Sequence, residues 1–191
     1  MRALTIGVAL TIGVFVVADD KSKDKKPAKK PPVSTAVGDY EMKVPGEWVK
    51  QKPSGQFRML QWGVPTAEGD EKAPMCYISE FGGGVGGVEA NIKRWEGEYD
   101  EREGDSKKDK FEVEGIKINV VDVTGVFKDS MGRGPFAGGK PELRKGYRTI
   151  AAMIEPEGAD KVYTVKLLGP KKSVGAQRDD FIAMLKSMKK K

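Results

Sequence analysis

The chain has 191 residues, a formal net charge of +6, one cysteine and no histidine. This length allows one domain and little more. The absence of histidine excludes Ser-His-Asp and Cys-His catalysis and every histidine-ligated metal site, and the lone Cys76 excludes an intramolecular disulfide. The modest excess of lysine is weak support for nucleic-acid binding, so we expect no nucleic-acid partner.

The first 18 residues predict a secretory signal peptide. Arg2 supplies a positive start, residues 3–18 are uncharged and mostly apolar, and Val16 and Ala18 place small residues before a cleavage position at Asp19. The alternative is a transmembrane anchor, but the apolar stretch is short for a bilayer core, which needs about 20 residues. We therefore expect a secreted or periplasmic protein with no stable membrane span after cleavage.

Residues 19–37 are rich in lysine and proline and contain no large apolar side chain except valine. This composition predicts a disordered linker that precedes a single folded domain, residues 38–191. The linker is either a spacer that holds the domain off a membrane or wall, or a basic tether for anionic lipid or polymer. Three aspartates dilute its positive charge, which favours the spacer.

The first half of the domain predicts strands followed by one helix. Extended pieces are expected after Asp39, over Phe57–Val64 and over Met75–Phe81, where β-forming residues cluster. A helix should follow, because apolar residues recur one turn apart at Val88, Ile92, Trp95 and Tyr99. Residues 101–110 are expected to form a charged connection.

The second half predicts more strands and a final helix. Residues 111–129 should form two strands broken near Gly115, and a hairpin should turn at residues 157–160. The spacing of Val174, Phe181, Leu185 and Met188 predicts a C-terminal helix with Ser173 as its N-cap. This order contains few parallel crossovers, so it indicates an α+β fold with a mostly antiparallel sheet and packed helices.

Gly82, Gly84 and Gly87 satisfy the pattern G-x-G-x-x-G of dinucleotide-binding loops. That fingerprint also needs a parallel βαβ unit with an acidic residue about 20 positions on, and the expected position falls in the charged connection. Glu89, in the first helical turn, would repel a phosphate. We therefore predict a structural turn and no cofactor.

Two residues of the predicted helix that follows this turn are assigned structural roles. Asn91 leans into the apolar stripe, where its amide needs partners that the glycine backbone could supply. The favoured interpretation is a structural clamp between helix and loop; the alternative is a ligand contact. Trp95 is expected in the core.

Three segments resemble a group of uncharacterised secreted bacterial proteins: "FGGGVGGVEANIKRW", "GPFAGGK" and "VKLLGPKKSV". The resemblance covers residues 39–190. "YEMKVPGEW" also resembles the first strand of the PsbP-like family, named for an extrinsic photosystem II protein. That resemblance implies an α/β/α sandwich around an antiparallel sheet. It brings no activity, because no metal- or chloride-related motif is present.

Residues 129–146 form the connection that we single out as a candidate binding surface, since long ordered connections are often functional. Its glycines allow mobility, and its candidate binding residues are Arg133, Phe136, Lys140 and Arg144. The alternative is a solvated loop pinned by Phe136.

Asp122 lies in line with Ile118, Val120 and Val126 on a predicted strand. It could act as a general base, or lie near a sheet edge or a bulge at Gly125. No second catalytic group accompanies it, so we assign no catalytic residue and no metal ligand.

The favoured function is a secreted, non-catalytic domain that binds an envelope protein or an anionic polymer. The alternatives are a carboxylate-dependent hydrolase or transferase that uses Asp122, and a small-ligand sensor at the glycine loop. An enzyme should show a pocket with two or more converging ionisable groups, whereas a binding module should show a patch dominated by loops.

Overall fold

The computed structural model describes residues 29–55, 57–82, 86–130, 140–158 and 160–191. The predicted signal peptide and residues 19–28 of the predicted linker lie outside them. The first described elements are the strands β1 Val33–Val37, β2 Tyr40–Val44, β3 Val49–Gln51, β4 Arg58–Gly63 and β5 Met75–Gly82, followed by the helix α1 Val88–Glu96. The later elements are β6 Tyr99–Arg102, β7 Lys107–Val113, β8 Ile116–Asp129, β9 Glu142–Pro156, β10 Lys161–Pro170, α2 Lys171–Ala176, α3 Arg178–Lys186 and β11 Lys189–Lys190.

The main sheet has the strand order β3-β4-β5-β10-β9-β8-β6, and β7 also pairs with β8. Every one of these pairings is antiparallel. The long strands β8 and β9 form its central hairpin, which runs out to Asp129 opposite Glu142 with one irregularity between Gly125 and Phe127. The prediction of a mostly antiparallel α+β fold is confirmed.

The expected share of helix was too large. Three short helices occur among the described residues, and the C-terminal apolar pattern is divided between α2 and α3 at Gln177. Ser173 is not an N-cap, because α2 begins at Lys171 and buries Ser173 in its interior. Residues 101–110, predicted to be a connection, instead contribute to β6 and β7.

The folded domain begins earlier than the predicted boundary at residue 38. β1 pairs along its whole length with β2, in a small sheet of order β1-β2-β11. Val37 is fully buried in this arrangement. Backbone hydrogen bonds to β2 and the burial of Val37 hold β1 in place. The composition of residues 33–37 therefore did not prevent them from forming a strand of the folded domain.

Two apolar cores lie on opposite faces of the main sheet, because successive strand residues point to opposite sides. The larger core includes Trp62, Ile78 and Leu167 from the sheet with Phe181 and Leu185 from α3. The smaller core is formed by two side chains of α1 together with side chains of the sheet: Ile92, Trp95, Tyr99, Val121, Val123, Phe127, Ala151, Met153 and Leu168.

None of the helices in the described part of the chain is long and apolar enough to cross a membrane.

Candidate functional site

The glycine turn joins the sheet to α1. Gly82 ends β5, Gly87 is the residue before α1, and Gly84 lies outside the described residues. Asn91 is fully buried, and its Nδ2 donates to the carbonyl oxygens of Gly86 at 3.2 Å and Gly87 at 3.0 Å. Its Oδ1 accepts a hydrogen bond from Arg94. These are helix-to-loop contacts of the kind that the clamp hypothesis requires.

A groove of about 330 Å³ opens beside the start of α1. It is lined by Val88, Glu89 and Ile92 of the helix and by Lys108, Asp109, Lys110, Asn119 and Val120 of the β7–β8 hairpin. The described glycines of the turn do not line it. The Glu89 carboxylate is placed at the positive end of the helix, where it opposes the binding of another anion.

Trp95 lies in the smaller core beside a buried charge that the sequence analysis missed. Lys166 is in the middle of β10, its side chain is 8% exposed, and its Nζ donates to both carboxylate oxygens of Glu98 at 2.6 and 2.8 Å. The same Nζ lies 5.9 Å from the centre of the Trp95 ring. A single lysine within the apolar run of β10 was the signal that could have revealed this pair.

Asp122 is held by a two-point ion pair. Nε and Nη2 of Arg148 donate to its two carboxylate oxygens at 2.7 and 2.5 Å, and this hydrogen bonding raises the pKa of the Arg148 guanidinium. Nη1 of Arg148 lies 3.3 Å from where a Cβ on Gly175 would be, so α2 packs closely against the pair. The arrangement joins β8, β9 and α2, and the carboxylate of Asp122 is occupied by Arg148.

The four predicted binding residues were expected in one connection, residues 129–146, and the structure does not place them all there. Arg133 and Phe136 lie outside the described residues, and Lys140 is exposed just before β9. Arg144 lies within β9, so the connection between the paired strands is shorter than residues 129–146.

Arg144 is tied into the β8–β9 hairpin. Its side chain is 17% exposed, Nε donates to Asp129 Oδ2 at 2.5 Å, and Nη2 donates to Glu142 Oε2 at 2.9 Å. The bond to Asp129 raises the pKa of Arg144. The exposed side chains next to it are Leu143, which is 52% exposed, and Lys145.

A second groove, which we call the β9 groove, lies beside these residues. It has a volume of about 450 Å³ and is lined by residues 69–72, residues 142–147 and Pro170. Exposed Glu71, Lys72 and Lys145 contribute to the lining. Neither lysine side chain forms an ion pair within the part of the chain that the structure describes.

Ser173 fixes one wall of the β9 groove, a role that sequence analysis did not predict. Its backbone N–H and Oγ donate to Asp70 Oδ2 at 2.9 and 2.5 Å, and its Oγ also accepts from the backbone N–H of Ala67 at 2.9 Å. These bonds attach the turn at residues 67–70 to α2. The Asp70 carboxylate is thereby engaged in holding the wall.

No group of three or more acidic or cysteine side chains suited to a metal ion occurs among the described residues.

No protein-family model and no curated protein matches the chain. Among solved structures, the cyanobacterial PsbP protein CyanoP from Synechocystis is similar with a TM-score of 0.52 and 11% identity, covering 84% of this chain and 93% of that chain. A Pseudomonas aeruginosa protein of unknown function has a TM-score of 0.47 and 8% identity, covering 83% and 96%. A Bacteroides thetaiotaomicron protein has a TM-score of 0.43 and 9% identity, covering 80% and 45%. The likeness to CyanoP shows a distantly PsbP-like fold.

Proposed function

We propose that this chain is a non-catalytic binding domain of the cell envelope that takes an envelope protein or an anionic polymer into the β9 groove. The observation that carries the proposal is the combination of exposed Leu143 with Lys72 and Lys145 along one shallow, open groove. An exposed apolar side chain beside cations offers a partner both burial and charge contact.

The ionisable groups around the β9 groove favour binding over acid–base catalysis. Asp70 is bonded to Ser173, and Glu142 accepts from Arg144. A general acid or base must be able to exchange its proton with a substrate, which requires a side chain free to face the ligand. Here Asp70 and Glu142 contact neighbouring elements, and the exposed side chains of Glu71, Lys72 and Lys145 are left to contact a ligand.

The proposal includes the finer architecture and the place of action. We place α1 on one face of the main sheet and α2 with α3 on the other, as in an α/β/α sandwich. Export would follow from the N-terminal signal peptide, and sequencing of the mature protein should begin at Asp19. A mature protein that retains Met1 would contradict cleavage.

A site-specific photo-crosslinker tests the binding surface. It replaces Leu143 in one sample and, as the matched control, Val49 in another, since Val49 is 67% exposed and lies on β3 at the far end of the sheet order. In envelope extract, a discrete crosslinked product should form at position 143 and be absent at position 49. The product at position 143 should be lost when Lys72 and Lys145 of the crosslinker-bearing chain are also changed to glutamate.

Identical products from both positions would refute the groove as the binding surface. A product at position 143 that survives the lysine changes would refute the contribution of charge.

A further inference from the structure

A second surface, the outer edge of β7, has a backbone that is not used by the sheet. Among the described strands, β7 pairs only with β8. An unpaired strand edge presents N–H and C=O groups that can pair with another chain. This edge is separate from the β9 groove.

The register of the hairpin identifies the backbone groups that face outward. β7 and β8 are joined by Glu114 and Gly115, whose φ angles of 49° and 73° are those of a two-residue type I′ turn. The hydrogen-bonded pairs therefore alternate from Val113 opposite Ile116, and Lys108, Lys110 and Glu112 direct their N–H and C=O groups away from β8. Consistent with this, the Lys110 N–H donates to Asp109 Oδ1 at 2.8 Å and not to β8.

The side chains on one face of this hairpin are mostly basic. Lys108 and Lys110 lie on the same face as their cross-strand neighbours, including Lys117, and Glu112 is the acid among them. Lys110 and Lys117 form no ion pair within the described residues. Lys108 reaches Glu89 at 3.5 Å with both side chains largely exposed, which is a weak interaction.

Shallow grooves accompany the edge. The groove beside α1 is lined by Lys108, Asp109 and Lys110, and another of about 370 Å³ is lined by Lys110, Phe111 and Glu112 with part of β8. Both share Lys110 and Asn119. Side chains of an added strand would therefore find space on the surface next to the backbone that they pair with.

We propose that the β7 edge binds an extended acidic peptide segment as an additional strand. The backbone of the segment pairs with the outward groups of Lys108 and Glu112, and its alternate carboxylates lie beside Lys108 and Lys110. In an antiparallel pairing of two β7 strands centred on Lys110, this lysine would face Lys110 of the other copy, whereas an acidic strand places a carboxylate there. Lys110 thus favours an acidic strand over a second copy of β7.

The test uses a blocked peptide of alternating glutamate and threonine, with an alternating lysine and threonine peptide as the charge control. The acidic peptide should bind the full chain, and hydrogen exchange at the Lys108 and Glu112 amides should slow on binding. The basic peptide should not bind. Inorganic polyphosphate of matched charge separates strand addition from general anion binding, because it carries no amides and should leave both exchange rates unchanged.

Variants locate the contact. K108E/K110E should weaken peptide binding about tenfold through the reversal of two exposed charges. The matched control, Lys50→Glu on the exposed edge strand β3, should leave binding unchanged. Lys110→Gln is the milder variant if the double variant fails to fold, and it should weaken binding by a few-fold. Three results would each overturn the proposal: no peptide binding, binding without slower exchange at Lys108 and Glu112, or equal binding by Lys110→Gln.

Discussion

Substitution of Asn91 by alanine tests whether the glycine turn is a structural element. Asn91 is fully buried, and its amide connects α1 to the two residues before the helix. The substitution removes both donated hydrogen bonds and the bond accepted from Arg94. We expect the free energy of unfolding to fall and the connection between turn and helix to loosen.

The size of this destabilisation depends on what happens to the two carbonyl groups that accept hydrogen bonds from Asn91. The Gly87 carbonyl keeps the backbone N–H of Asn91 at 3.2 Å, and Gly86 is exposed, so water can solvate its freed carbonyl. The loss is then the net value of the bonds, about 2 kcal/mol. For a domain of this size, that corresponds to a decrease in melting temperature of roughly 4–8 °C. Urea unfolding and thermal melts measure both quantities.

Two further variants sharpen the test. Asn91→Asp replaces the donor with an oxygen that faces two carbonyl oxygens and buries a charge, so it should destabilise more than Asn91→Ala. Asn119→Ala is the matched control, because Asn119 is half-buried and donates to Glu155 at 3.2 Å. It should cost only about 0.5 kcal/mol. If Asn91→Ala costs no more than Asn119→Ala, the clamp hypothesis is wrong.

Calorimetry on the wild type addresses the alternative of a ligand cradle. ATP, NAD and inorganic phosphate should give no heat of binding, because Glu89 opposes an anion at the start of α1. A clear heat of binding together with unchanged stability in Asn91→Ala would favour a ligand site at the glycine turn.

Three other predictions concern the N-terminus, the ion pair and alkaline pH. Deleting residues 19–28 should leave the melting temperature unchanged, whereas deleting residues 19–37 should cost about 2 kcal/mol because it removes β1 and buried Val37; equal melts would contradict this. Asp122→Asn should cost about 2 kcal/mol in urea unfolding by breaking the ion pair, while a purely catalytic aspartate would leave stability unchanged. Burial raises the pKa of Tyr163 to about 12, so its stabilising contribution is present below pH 10 and is lost as the pH rises through 12. Melts between pH 10 and 12 should show a smaller loss for Tyr163→Phe than for the wild type.

Elements with local sequence signals were predictable. β4 and β5 are rich in β-forming residues, and α1 repeats its apolar residues once per turn. The hairpin turns near Gly115 and residues 157–160 carry the glycines that tight turns need. In these cases the pattern that specifies the element lies within the element itself.

Edge strands gave no such signal. Most of β7 is exposed on both faces, so no apolar alternation distinguishes its charged sequence from a loop. β1 is similar, with Val37 as its buried residue. Each is fixed by backbone pairing with a neighbouring strand, and pairing depends on the rest of the fold rather than on the composition of the segment.

The candidate site was only partly predictable for a related reason. Arg144 was predicted within the connection but lies in β9, and its ion pair with Asp129 depends on the hairpin register, which shifts between Gly125 and Phe127. The pairing of Lys166 with Glu98 joins residues that are 68 positions apart. Partners at such separations are chosen by tertiary packing, which residue spacing does not encode.

The 11% identity with CyanoP shows that a similar fold forms from a very different sequence. The sheet requires alternating apolar residues toward the two cores and leaves the outer edges and connections unconstrained. Lys110 lies on an outer edge, and Leu143 and Lys145 lie at the exposed end of β9, where exposure likewise makes almost any side chain tolerable. An exposed leucine beside cations and a row of lysines on an edge are therefore not requirements of folding. They are the features that can differ between proteins of one fold, which is why we assign binding to them and not to the core.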